Sequence, residues 1–223
     1  MKAMIVGASG LVGSCVLEQL LTDAEISSIT LLTRRSLGKI HPKIREVITD
    51  FEQLEHVSAD IFTVDAVFSC LGTTLGRTGE QSMYKRIETT YPLAIAERSI
   101  AVRAKSFHYV SAVGSSSQSS LNYSKMKGET EDGLRDFQKK HPQTCIASYR
   151  PSFILGDRKE KRLIEQLAIP IWTSIEFLMQ GPLKKYRSTH AHTIARSMIK
   201  QAKNHSPGFF ILEYEQMLKF KVE

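Results

Sequence analysis

The chain alternates short apolar runs with longer stretches in which apolar side chains recur every three or four positions. Met4, Ile5 and Val6 form the first run. Gly7-Ala8-Ser9-Gly10-Leu11-Val12-Gly13 follows, and Val12, Val16, Leu17, Leu20 and Leu21 then recur at helical spacing. That order reads as strand, tight turn and helix. Further apolar runs predict strands at 29–33, near 46–49, and at 66–69, 107–111, 145–150 and 209–212. Helical spacing falls between them: over 82–102, with a start or kink at Pro92, and over 122–140, 160–179 and 191–204. Strands alternating with helices predict an α/β fold, a doubly wound parallel sheet with helices on both faces. No repeat, low-complexity tract or linker divides residues 1–223. They read as one domain, in which residues 151–223 supply most of a small C-terminal substrate lobe.

The glycine turn gives the first chemistry. Gly7 allows the sharp exit from the strand, Gly10 lets the backbone approach a pyrophosphate, and Gly13 lets the helix lie close to the sheet. The free N–H groups and positive end of the helix would face the phosphates. This makes the fold Rossmann-like. In such folds the end of the second strand selects the cofactor, because a carboxylate there binds the ribose hydroxyls of NAD and repels a 2′-phosphate. Here Thr33 is followed by Arg34 and Arg35, with no carboxylate. A guanidinium meets phosphate oxygens with a two-pronged fork, so NADP(H) is expected over NAD(H). Asp50, after the third strand, would sit beside the adenine or cap the turn that follows. The fourth strand runs into Cys70-Leu71-Gly72-Thr73-Thr74 at the sheet edge where ligands bind. Cys70 has nothing basic nearby and reads as packing.

Composition adds few constraints. The formal charge is +7, but the 30 basic residues are dispersed, apart from local groups such as Arg158-Lys159-Lys161-Arg162 and Lys184-Lys185-Arg187. There is no basic tail or zinc-finger spacing, so no nucleic acid is expected, and a dinucleotide phosphate is the more economical anion. No apolar run approaches the ~20 residues that span a bilayer. Cys15, Cys70 and Cys145 are far apart and form no C-x-x-C pair; with no leader segment before the first strand, they suggest a cytoplasmic protein with reduced thiols. His190 and His192 flank Ala191 with no third ligand placed nearby, so no metal is expected and both should precede or cap the next helix.

Tyr123-Ser124-Lys125-Met126-Lys127 puts a phenol and an ammonium one helical turn apart on the same face. An unperturbed tyrosine, at ~10, is a poor acid–base group near neutral pH. An adjacent ammonium favours the phenolate and makes proton exchange with a carbinol oxygen feasible. Ser111, at the end of the fifth strand, could donate a hydrogen bond to a reacting carbonyl. The Ser- and Gly-rich stretch 114–120 reads as a mobile loop bordering the site.

Taken together, the GASGLVG turn, Arg34-Arg35, Asp50-Phe51, Cys70-Leu71-Gly72-Thr73-Thr74, Tyr123 through Gly128, Arg150-Pro151, and Asp157-Arg158 with Arg162 resemble the atypical short-chain dehydrogenase/reductases. Within them the chain is similar to the Tat-interacting-protein type of NADPH-binding oxidoreductase. The resemblance implies that Ser9, Gly10, Leu11 and Val12 wrap the pyrophosphate and that Arg34 and Arg35 hold the 2′-phosphate. It places Leu71 and Gly72 along the adenosine side, and Tyr123 and Lys127 at the nicotinamide ribose. Ile154 would pack near the nicotinamide, and Arg162 would reach the cofactor or close over it. Relatives often have a second serine at the position of Ala112, so Ser111 must act alone or with Ser115 or Ser116.

The expected function is NADP(H)-dependent reduction of a carbonyl on a small or medium substrate, with Ser111, Tyr123 and Lys127 as the catalytic group. A non-catalytic NADP(H)-binding redox sensor is the rival from another class; a homodimer or a protein partner stays open. A nucleoside-diphosphate-sugar epimerase is disfavoured by the short final third. Trp172, Phe177 and Met179 form an apolar face that would cover the nicotinamide pocket or simply pack.

Overall fold

In a computed structural model, residues 1–156 and 179–220 are described; the expected helix over 160–179, with Trp172 and Phe177, and Arg162 lie outside the described residues, Met179 excepted. Seven strands form one sheet in the order β3-β2-β1-β4-β5-β6-β9, and every neighbouring pair is parallel. The strands are β1 (Lys2–Val6), β2 (Ser28–Thr33), β3 (Ile44–Ile48), β4 (Ala66–Ser69), β5 (Ser106–Val110), β6 (Cys145–Tyr149) and β9 (Gly208–Leu212). A parallel pair, β7 (Ile154–Leu155) with β8 (Thr189–His190), stands apart from the sheet. The doubly wound parallel sheet expected from the alternation is present.

Both faces of the sheet are covered. On one, α1 (Leu11–Thr22) and α6 (Ala191–Asn204) enclose a core that includes Val16, Leu20, Ile29, Phe68, Ile194 and Met198. On the other, α4 (Tyr91–Ala101) and α5 (Asn122–Lys140) pack over Met4, Val67, Ile95, Phe107, Tyr109 and Leu134. Buried strands in such a sheet are apolar on both sides, which is why β1, β2 and β4 read as unbroken runs. Of the C-terminal elements, β9 joins the main sheet beside β6 and α6 packs on α1, so both complete this layer.

The helix interrupted at Pro92 has a specific form. Two short helices, α2 (Leu75–Thr78) and α3 (Gln81–Lys85), lead into a π turn over Arg86–Thr90, and α4 begins with Pro92 in its first turn. Tyr91 donates its N–H to the carbonyl of Arg86, five residues back. Pro92 has no N–H, so it cannot give Glu88 the usual bond from four residues on. The Glu88 carbonyl accepts instead from Tyr109 Oη at 3.1 Å and Thr130 Oγ1 at 3.0 Å. The π turn is therefore anchored to β5 and α5 at one point. Such turns often mark functional sites.

The strand registers align Val6 with Ser69, Ser69 with Tyr109 and Val110 with Tyr149. Gly7, Cys70, Ser111 and Arg150 therefore leave the sheet along one edge, its carboxyl edge.

Candidate active site

The first turn is built by close backbone contact. Gly7 has φ +83°, and a Cβ there would lie 2.6 Å from the carbonyl oxygen of Cys70. A Cβ on Gly13 would stand 2.2 Å from the carbonyl oxygen of Gly7, so α1 lies directly against the turn. Gly10 donates to Gly7 O at 3.0 Å and is the N-cap of α1, with no side chain capping the helix and no acidic residue in its first turn. Among the described residues, the first N–H groups of α1 are thus left without a side-chain acceptor. Ser9 is exposed, while Val12 and Gly13 are buried. An anion fits this donor set.

Arg34 and Arg35 are exposed just beyond β2, and neither side chain has a hydrogen-bond or ion-pair partner among the described residues. Glu46 lies on the neighbouring strand, but its carboxylate accepts from Ser36 Oγ at 2.6 Å and from Leu37 N–H at 2.9 Å. These bonds hold its carboxyl below the usual range. Asp50 caps the turn that follows it, Oδ1 accepting from Glu52 N–H at 3.0 Å. Beyond the end of β4, Leu71 lies beside the glycine turn, its nitrogen 3.0 Å from where a Cβ on Gly7 would stand, while a Cβ on Gly72 would be 3.9 Å from Glu88 Oε1. Cys70 packs against the core, and burial pushes its thiol up to about 12, which suits packing and not nucleophilic attack. Ile154, in β7, also packs on the core; Gly156 meets Leu11 at the start of α1, where a Cβ would be 2.9 Å from Leu11 Cδ1.

Tyr123 and Lys127 stand one turn apart at the start of α5. Tyr123 is 42% exposed and Lys127 is 2% exposed. The Lys127 ammonium donates to Val110 O at 2.8 Å, pairs with Glu88 Oε2 at 2.9 Å, and lies 4.6 Å and 5.9 Å from the ring centroids of Tyr109 and Tyr123. Burial opposes its charge, but Glu88, then Tyr109 and Tyr123, hold its pKa well above the ordinary lysine value. Ser111, at the end of β5, is 2% exposed, with Oγ 3.1 Å from Ser115 Oγ. Ser115 gives its hydrogen to the Ala112 carbonyl at 2.6 Å, so Ser111 is the donor of that pair. Of the two candidate helpers, Ser115 touches Ser111, while Ser116 Oγ accepts from Gln118 N–H at 3.2 Å.

The serine loop differs from expectation. Ser116 N–H donates to Ser124 O at 3.1 Å, and a Cβ on Gly128 would fall 2.2 Å from the backbone of Ser116 and Ser117. The loop lies backbone to backbone on α5. Composition pointed to mobility because it could not show Gly128 beneath the loop.

Glu88 is the site residue that sequence reading missed. Its signal was one carboxylate on a helical face, four residues after Tyr84 and four before Pro92. His190 precedes α6 without a side-chain cap. The structure also brings Cys15 and Glu18 to His192, with donor atoms within 4.8 Å of one another, which the sequence could not show. Glu18 and His192 are exposed, and burial, then Glu18, raise the Cys15 pKa. Three donors with a protonated thiol are a loose set for a cation. Among the described residues, no helix is long and apolar enough to cross a membrane.

A parallel sheet in this order, with a glycine turn at its first crossing and a Tyr–Lys pair at its carboxyl edge, defines a Rossmann domain of the dehydrogenase type. Residues 2–88 match the family model "Semialdehyde dehydrogenase, NAD binding domain". The chain is 31% identical over 177 residues to Protein HTATIP2 of Rattus norvegicus, covering 78% of this chain and 71% of that protein. It is 31% identical over 204 residues to Protein FMP52, mitochondrial, of Candida albicans, covering 87% and 86%. The chain belongs to this HTATIP2/FMP52 family of atypical short-chain dehydrogenase/reductases, an NAD(P)-binding, oxidoreductase-like family. Among solved structures, MoeE5 in complex with UDP-glucose and NAD superposes with a TM-score of 0.71 at 15% identity, over 96% of this chain and 76% of that one. UDP-glucose 4-epimerase from Thermotoga maritima gives 0.70 at 16%, over 98% and 81%. At these identities the likeness is one of fold.

Proposed function

We propose that the protein is an NADP(H)-dependent reductase acting on a carbonyl of a small or medium substrate. The supporting observation is the Ser111, Tyr123 and Lys127 group at the carboxyl edge, with Lys127 held by Val110 O at 2.8 Å beside the Tyr123 ring. The Gly7–Gly13 turn and the first N–H groups of α1 would hold the pyrophosphate, and the exposed side chains of Arg34 and Arg35 the 2′-phosphate. Leu71 and Gly72 would border the adenosine, Asp50 the adenine, Ile154 the nicotinamide, and Tyr123 with Lys127 the nicotinamide ribose. Arg162 remains part of the proposal from the family resemblance alone.

When bound, the reduced nicotinamide supplies hydride to the carbonyl carbon. Tyr123 gives its phenolic proton to the carbonyl oxygen, which becomes a hydroxyl. Ser111 turns its hydroxyl from Ser115 to that oxygen and polarises the carbonyl. Lys127 fixes the ribose and the phenol. The free thiols Cys15, Cys70 and Cys145 agree with a reducing compartment, and a cytoplasmic location belongs to the same proposal.

The test is a panel of aldehydes and ketones with NADPH, run on wild type and Tyr123→Phe. Turnover by wild type, lost in the variant with NADPH affinity kept, supports the reductase. Tight NADPH binding without turnover on any substrate overturns it in favour of a non-catalytic sensor.

A further inference from the structure

A carboxylate that this scheme does not use is buried at its centre. Glu88, on the π turn, is 1% exposed. Oε2 lies 2.9 Å from Lys127 Nζ, and Oε1 accepts the Thr73 N–H at 2.6 Å. One side chain thus joins the ammonium on α5 to the loop leaving β4. Its main chain is fixed as well, through the carbonyl bonded to Tyr109 and Thr130. Few carboxylates are this buried, and removing one partner of such a pair strands the other charge.

The pairing changes what the phenol experiences. A lone ammonium beside Tyr123 would favour the phenolate. An ammonium in contact with a carboxylate presents its neighbours with a dipole, whose field falls off faster than that of a single charge. Among the described residues, the ionisable groups facing the pair are Tyr84 from α3, Tyr109 from β5, Cys70 at the end of β4, and Tyr123 on α5. Burial holds Tyr84, Tyr109 and Cys70 at about 12, so none of the three carries charge near neutral pH. Among the described residues, Glu88 is the anion that balances Lys127.

We propose that Glu88 is a positioning residue of the site, acting through Lys127: it neutralises the ammonium while tying it to the β4 loop, and so keeps the Tyr123 phenol protonated and ready to donate. The consequence for direction rests on the reductase reading above. In reduction, hydride adds to the carbonyl carbon, the C=O π electrons move to oxygen, and the Tyr123 proton is transferred there; the substrate is reduced and the nicotinamide oxidised. Oxidation of the alcohol would need the phenolate instead. Glu88 therefore holds the form that reduction needs.

Tyrosinate absorbance during alkaline titration of the protein without cofactor tests this, with Tyr123→Phe subtracted in each background to isolate Tyr123. Glu88→Gln is expected to lower the Tyr123 midpoint by about one unit or more, while Glu88→Gln/Lys127→Met leaves it within about half a unit of wild type. An unmoved midpoint in folded Glu88→Gln overturns the proposal. So does a rise of more than about one unit in the double variant, which would show an unbalanced ammonium acting in the wild type. The double variant carries no stranded charge and decides the matter alone if Glu88→Gln does not fold. In the reductase assay, the alkaline limb of kcat/KM should move down in Glu88→Gln with the midpoint. Absence of wild-type turnover refutes the reductase and leaves the titration to judge Glu88.

Discussion

Gly128 and Ser116 meet backbone to backbone: a Cβ on the glycine would stand 2.2 Å from the serine's carbonyl carbon. The contact falls one residue after Lys127 and fixes the loop that contains Ser115. Gly128→Ala should cost about 2 kcal/mol of stability by overpacking, read as a lower denaturation midpoint. Below that midpoint, kcat should fall more than NADPH affinity, because the displaced loop carries Ser115 and not the glycine turn.

The two touching serines should separate on mutation. Ser111→Ala removes the hydroxyl that would turn from Ser115 to the carbonyl and should lower kcat by about 10²–10³. Ser115→Ala removes only its acceptor and should cost less than about tenfold. Steady-state kinetics with the best carbonyl substrate checks the order.

Among the described residues neither Arg34 nor Arg35 has a side-chain partner to lose, so their removal should leave folding untouched. The double Arg34→Ala/Arg35→Ala variant should weaken NADPH binding by about 10–100-fold and change NADH binding little, since a charge-assisted hydrogen bond is worth about 1.5–3 kcal/mol. Fluorescence titration with both nucleotides, beside a thermal melt, reads the difference.

Much of this architecture was legible because the signals were local. The apolar runs at β1, β2, β4 and β6, and the helical spacing of α1 and α5, need no knowledge of contacts, and α5 was expected over 122–140 and occupies Asn122–Lys140. The glycine turn and Tyr123–Lys127 are likewise local patterns. Glu88 was not legible, because its partner lies 39 positions away and meets it only once α5 crosses the π turn. The pinned serine loop was hidden for the same reason: Gly128 is informative only when Ser116 lies against it. Asp50 could be read two ways, and its bond to Glu52 N–H supplies the cap.

His108 gives the fold an acid-side weakness. It is fully buried on β5, with Nδ1 3.0 Å from Tyr149 Oη, and burial, with His205 adding, pushes its pKa down to about 3. An unfolded imidazole titrates near ~6.5. Below that pH the unfolded chain takes up a proton that the folded chain refuses, so stability falls as pH drops from about 6.5 toward 3. Between pH 7 and pH 5 the loss from this group should be about 2 kcal/mol. His108→Gln keeps a partner for Tyr149 and cannot titrate; urea unfolding at both pH values should show that part of the slope gone.

Calorimetric titration of the purified protein with NADPH, and separately with NADH, bears most directly on the glycine turn as a seat for a 2′-phosphorylated dinucleotide. One molecule of NADPH per chain, bound at least about tenfold more tightly than NADH, is expected. No heat from either nucleotide, or a preference for NADH, would contradict it.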